Sequence, residues 1–308
     1  MHTERCVAQV STAGECKIFI LEDFMLYGLV LKESNDFDAR INNVISFYSW
    51  RASRLIPYDR TYAKEILNSI GVSQSNTDRE RAWITLSYHC LSLLDVFWVK
   101  AENETVRFEE INLYTHSLSN DFVDIALCGH QKTVTNAHFL ADDLSTGGCY
   151  PKAWVHKEDG FYLYKGGGRN AVEREVLASK ICRCFDCHQV LYEQGMFENE
   201  PVSISKIMTS QRYSLVTYAA YDVYCTNRDW NTLDKILELD AHGYYMMNIL
   251  DYLVGNTDRH WEKSGALLVD NETNQPIRLH DLMDFNRAFQ QYNTLEGANC
   301  LTVGKCGI

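Results

Sequence analysis

The sequence predicts an α+β fold of two lobes behind a mainly helical N-terminal extension, with a short or truncated C-terminal lobe. Three observations carry this. Apart from one short strand, the first 110 residues have helical periodicity. From about residue 140, glycine-rich turns and alternating strands take over. Near the end, a long apolar helix runs into an acidic loop, a hairpin and a second acidic loop. The parts divide at 1–135, 136–220 and 221–308, and a chain of 308 residues can bury a core in more than one of them.

In chain order, a strand is expected around Lys17 to Leu21 and a helix from Tyr62 to Ile70, stopped by Gly71. In NTDRERAWITLSYHCLSLLDVFW, Thr77 stands three residues before Glu80, the pattern of a capping box. Trp83, Leu86, Cys90 and Leu93 continue at helical spacing. LSTGGCYPKAW reads as turns, and GFYLYKGGG as a short strand ended by three glycines. A helix from about Val172 carries the stripe Val172, Val176, Leu177, Ile181 and Phe185. VSISKIM and YSLVTYAAY read as strands. HGYYMMNILDYLV reads as a helix with Met246, Ile249, Leu250 and Leu253 on one face. GALLV and PIRL are strands joined by the turn DNETNQ.

Composition bounds the function. Hydrophobic residues at 46% and charged residues at 23% are ordinary for a soluble globular chain. A net charge of −12 argues against direct nucleic-acid binding and against an anionic membrane surface. MHTERCVAQV lacks the apolar core of a signal peptide, and no stretch reaches the roughly 18 apolar residues of a span. Eleven irregularly spaced cysteines fit free thiols in a reducing cytoplasm. Cys182, Cys184 and Cys187 before His188 mimic half a zinc site or a haem-attachment spacing. They sit at a helix end with no second ligand pair nearby, so they are read as core and surface thiols.

The order of glycine turn, strand with lysine, helix with acid, acidic loop, hairpin and acidic loop suits phosphoryl transfer of the protein-kinase type. That chemistry needs a cation on the nucleotide phosphates, carboxylates for the metal and a group that positions the attacking hydroxyl. Lys165, in a strand just before a glycine run, is the candidate nucleotide lysine. Glu175 is its expected partner, with Glu173 as the alternative. Ser145, Thr146 and Gly147, in a glycine-rich turn, are candidates to close over phosphates through backbone N–H groups. Asp258 is placed to accept or hold the hydroxyl proton, His260 to share that role, and Arg259 to order the loop by pairing with a carboxylate. Five residues after Asp258, where the kinase template has a metal-binding Asn, stands Lys263. Asp284, followed by Phe285, lies 21 residues further on, at the place of the metal-binding Asp.

NILDYLVGNTDRHWEKSGALL together with PIRLHDLMDFNRAF resembles the HipA-type kinase family, especially its short bacterial members. The Asp-Arg-His run also resembles the phosphatidylinositol 3- and 4-kinases. LSTGGCYPKAW, FYLYKGGG and VEREVLASKI resemble the family's nucleotide-binding half, and LSLLDVFWVK a segment upstream of it. The likeness covers about residues 50 to 303 and is most specific in the two acidic loops. It implies an ATP- and Mg2+-dependent serine/threonine kinase, often autophosphorylating; the serine and threonine within 143–146 make the glycine turn a candidate target. It further implies a protein substrate and a regulatory or antitoxin-like protein partner, as some members are toxins paired with a DNA-binding antitoxin. By the same resemblance Asp258 is catalytic, Asp284 a metal ligand and Lys165 the nucleotide lysine.

Two departures leave an alternative open. Lysine has no lone pair to offer a cation, so Lys263 cannot ligate one, although its own charge can neutralise phosphate. Only 24 residues follow Asp284, short for a kinase large lobe. The alternative is therefore a pseudokinase, a nucleotide-binding regulatory module with weak or no catalysis. A phosphotransferase acting on lipid or small molecules rests on the Asp-Arg-His run alone.

Overall fold

The computed structural model describes residues 1–11, 18–20, 24–57, 59–69, 77–115, 120–129, 149–262 and 265–290. Within these, β1 (Ala8–Val10) pairs antiparallel with β2 (Ile18–Ile20). Helices α1 (Phe37–Ala52), α2 (Ala63–Ser69) and α3 (Asp78–Leu86) follow, then the short α4 (Phe108–Ile111) and α5 (Asn120–Cys128). Asp36 caps α1, its carboxylate accepting the Ala39 N–H at 2.8 Å. Thr77 and Glu80 form the expected capping box on α3.

The sequence reading carries α3 on through Cys90 and Leu93, but the helix stops at Leu86. His89 and Cys90 take left-handed backbone, φ 56° and 57°, and the Cys90 N–H folds back onto the Thr85 carbonyl. Trp83, assigned to the apolar stripe, is 57% exposed. Buried arginines bind the extension together. Arg81 donates to the carbonyls of Ala52, Leu55 and Ile56, just where α1 ends and its last carbonyls need donors. Arg54 holds Asp95 through two bonds of 2.9 and 2.8 Å.

The largest sheet has four antiparallel strands, β3 (Lys152–Lys157), β4 (Gly160–Lys165), β5 (Tyr192–Phe197) and β6 (Glu200–Lys206), in the order β3-β4-β6-β5. The first half of β3, Lys152 to Trp154, comes from a stretch that reads as turns. Between β4 and β5, α6 (Arg169–Cys182) packs on β5 and β6. Its buried face is Ala171, Val172, Glu175, Val176, Ala178, Ser179 and Cys182. Leu177 and Phe185, placed in the stripe by periodicity, are 49% and 37% exposed.

A second sheet holds β7 (Tyr213–Thr217), β8 (Ala266–Asp270) and β9 (Gln275–Leu279). The expected strand YSLVTYAAY breaks at Thr217, whose hydroxyl accepts the Ala220 N–H and starts α7 (Tyr218–Thr226). Helix α8 (Thr232–Val254) is kinked at Asp240 and ends at Gly255 in the left-handed conformation, φ 61°. It buries Ile236, Met247, Leu250 and Val254. Ile249 and Leu253, expected on the inner face, are 51% and 46% exposed.

Two cores result. In one, Ile56, Ile66, Trp98 and Ile125 of the extension pack with Ala153, Trp154 and Phe161 of β3 and β4. In the other, Val7, Met25 and Phe97 join Tyr218, Met247, Leu250, Val254 and Phe285. The extension thus contributes side chains to each core. No helix among the described residues is long and apolar enough to cross a membrane.

Candidate active site

A cavity of about 380 Å³ opens between the two sheets, within the usual size of a small-ligand site. Lys152, Lys165, Tyr192, Asp258, Asp284 and Asn286 are among its lining residues.

Lys165 ends β4 and is buried. Its Nζ lies 3.0 Å from Glu175 Oε1 and 2.5 Å from Asp284 Oδ1. Glu175 reaches it from the buried face of α6, and its second oxygen accepts the Ser203 hydroxyl of β6 at 2.5 Å. Glu173 is turned to the exposed side and pairs with Arg169 at 2.7 Å. Of the two acids, the fold therefore brings Glu175 to the lysine. Burial opposes charge on Lys165, but Asp284 and Glu175 outweigh it and raise its pKa. Burial likewise opposes charge on Asp284, and Lys165 followed by Lys152 overcomes it, holding the carboxyl well below the usual range. Asp284 adopts left-handed backbone, φ 65°, and its N–H donates to the Tyr192 hydroxyl at 3.3 Å.

The acidic loop after α8 is built on Arg259. Its guanidinium is buried and forks onto Asp251, with Nε 2.8 Å from Oδ2 and Nη2 2.9 Å from Oδ1. Nη1 donates to the Met283 carbonyl at 2.8 Å, tying this loop to the Asp284 loop. Asn256 adds a bond to Asp251 at 2.8 Å. Arg259 thus orders the loop through a carboxylate, as its position suggests. Asp258 remains at the cleft with 23% of its side chain exposed. Its Oδ1 is 2.9 Å from His260 Nε2, and its Oδ2 is 3.2 Å from Arg287 Nε. Lys263 and the turn residues Ser145, Thr146 and Gly147 lie outside the described residues.

Among the cleft residues that escape the sequence reading are Lys152, Tyr192, Asn286 and Arg287. Lys152 sits directly across the ladder from Lys165, so both side chains leave the same face of the sheet. Burial, then the positive charges of Lys165 and Arg60, push its ammonium pKa down to about 7. Asn286 and Arg287 follow Asp284 within three residues, and that adjacency is the signal that marks them. Nothing local marks Lys152 or Tyr192.

Among the described residues, no group of three or more His, Cys, Asp or Glu side chains can hold a metal. A Mg2+ ion carried with nucleotide phosphates needs only one or two protein oxygens. The site offers the Asp284 carboxylate, 34% exposed, and Asn286 Oδ1, a buried oxygen that meets no hydrogen-bond donor among the described residues. This donor set fits such an ion. At the end of α6, Cys182 is buried and its thiol is pushed up to about 12 by that burial.

The fold is of mixed α/β type, similar to that of HipA. HipA of Shewanella oneidensis MR-1, in the complex of the toxin–antitoxin system HipA and HipB with operator DNA, aligns with a TM-score of 0.53 and 12% identity. The alignment covers 93% of this chain and 75% of that one. The Helicobacter pylori proinflammatory kinase CtkA aligns with a TM-score of 0.39 and 16% identity over 48% of this chain. The chain spans 62% of the length of CtkA. No protein-family model matches the sequence, and no curated protein matches it. The HipA structure includes operator DNA, so it lends no support to the expectation that nucleic acid is not contacted.

Proposed function

We propose that the chain is a HipA-like, ATP- and Mg2+-dependent serine/threonine protein kinase. The observation that carries this is Lys165 bridging Glu175 and Asp284 in a cleft that also holds Asp258. In this reading, residues 136–220 form the nucleotide-binding lobe, 221–308 the catalytic lobe, and 1–135 the extension. Lys165 and Lys152 bind nucleotide phosphates from adjacent strands. Ser145, Thr146 and Gly147 close over them.

Asp258 takes the proton of the acceptor hydroxyl as its oxygen bonds to the γ-phosphorus and the bond to ADP breaks. His260 hydrogen-bonds the carboxylate and keeps it oriented. Asp284 is the residue that would hold Mg2+, which when bound would neutralise charge on the phosphates. The acceptor is a protein hydroxyl, in this chain or a substrate. A regulatory protein partner, antitoxin-like in kind, is part of the same reading.

A pseudokinase is the second reading. It is favoured by the Arg287 ion pair on Asp258, which engages the proposed base, and by Lys263.

Transfer from labelled ATP with Mg2+ tests both, comparing the wild type with Asp258→Ala, Asp284→Ala and Lys263→Asn. Label on the wild type that is lost in both aspartate variants supports the kinase. Label on Lys263→Asn alone means a degenerate kinase whose defect is that lysine. No label on any of them selects the binding module.

A further inference from the structure

We infer that Asn286 is a cation ligand of this cleft, supplying an amide oxygen beside the Asp284 carboxylate to a divalent ion carried with nucleotide. The inference rests on the nucleotide-binding reading above and adds a residue to it.

The starting observation is an unmet acceptor. Asn286 is 4% exposed, and its Oδ1 is buried without a donor among the described residues. A buried polar atom left unpaired is unfavourable by about 1–3 kcal/mol, so a native one implies a partner that arrives from outside. The cleft is rich in donors, yet those nearest in the chain are committed elsewhere. Lys165 is bonded to Glu175 and Asp284. Arg287 is paired with Asp258. Arg259 is shared between Asp251 and the Met283 carbonyl.

The chemistry of the missing partner follows from the surroundings. Asn286 lines the same cavity as Asp258 and Asp284, two carboxylates whose side chains stay partly exposed. Hard divalent cations such as Mg2+ and Mn2+ take carboxylate, carbonyl and water oxygens. A neutral amide oxygen and a carboxylate lining one cleft are such a donor set. Phosphate oxygens of the nucleotide complete it.

Mn2+ is the probe, because its free form is counted directly by electron paramagnetic resonance. It is titrated into the full chain with a non-hydrolysable ATP analogue, for the wild type, Asn286→Leu and Asn286→Asp. The expected result is Mn2+ uptake by the wild type, affinity about tenfold weaker for the leucine variant, and tighter binding for the aspartate variant. Equal Mn2+ affinity in all three overturns the inference and leaves the nucleotide reading standing. Binding of the analogue without Mn2+ uptake by the wild type also overturns it. No analogue bound by the wild type sinks the nucleotide reading itself. Asn286→Asp keeps the side-chain volume and decides the outcome where the leucine variant does not fold.

Discussion

Arg287 holds the proposed catalytic base: its Nε lies 3.2 Å from Oδ2 of Asp258, while His260 engages Oδ1. An acceptor hydroxyl must compete with these partners for the carboxylate. Arg287 is 43% exposed, and pairs at such exposure contribute about 0.2–1 kcal/mol. Replacing Arg287 with alanine is therefore expected to raise phosphoryl transfer by no more than about fivefold. A loss of transfer beyond about tenfold would instead place Arg287 on the transferred phosphate.

Lys152 predicts a pH dependence. Its ammonium pKa of about 7 is below the ordinary 10.5, chiefly because the half-buried side chain is desolvated in the cleft. The unfolded chain then binds more protons between these values, so stability rises with pH across that window. Lys152→Met should flatten this limb of a melting-temperature profile. Nucleotide phosphates favour the charged ammonium, so wild-type affinity for an ATP analogue should be higher at pH 6 than at pH 8. Titration calorimetry on Lys152→Met reads how much of that difference belongs to the lysine. An unchanged difference rules out Lys152 as the source.

Asp284 sets an acid limb of the opposite sign. Its folded pKa is depressed relative to the ordinary 3.8, so its contribution is present above that value and is lost as pH falls through the folded pKa. The melting temperature should decline below about pH 4, and Asp284→Asn should reduce the slope. A slope equal to that of the wild type would show that other carboxylates dominate the limb.

The Arg259–Asp251 pair is buried at 3% and 7% side-chain exposure. Removing one partner of such a pair leaves an uncompensated charge and destabilises by about 3–5 kcal/mol. Arg259→Ala should show a loss of this order in urea unfolding. A loss below about 1 kcal/mol would mean that solvent reaches Asp251 and that the loop does not depend on the arginine.

Much of the candidate site is legible in the sequence, because its chemistry is packed into short stretches. Asp258, Arg259 and His260 share one loop, and Asp284 follows a hairpin whose turn residues announce it. The Thr77–Glu80 capping box is equally local. Glu175 against Glu173 is a different matter. Both lie on one helix, and only the packing of α6 on β5 and β6 turns the first toward Lys165 and the second toward Arg169.

The same physics explains the misread elements. Helix α8 carries apolar residues all round, with Met247, Leu250 and Val254 on one side and Tyr245, Ile249, Tyr252 and Leu253 on another. Periodicity cannot choose between faces of equal hydrophobicity, and contact with β9 decides. Chain order and residue chemistry alone name a lysine, two aspartates and the loop that carries one of them. That Lys152 stands opposite Lys165 depends on strand register. That Arg287 lies on Asp258 depends on two loops meeting through Arg259 and the Met283 carbonyl. Register and loop contact are relations between residues far apart in the chain, so they exist only once it has folded.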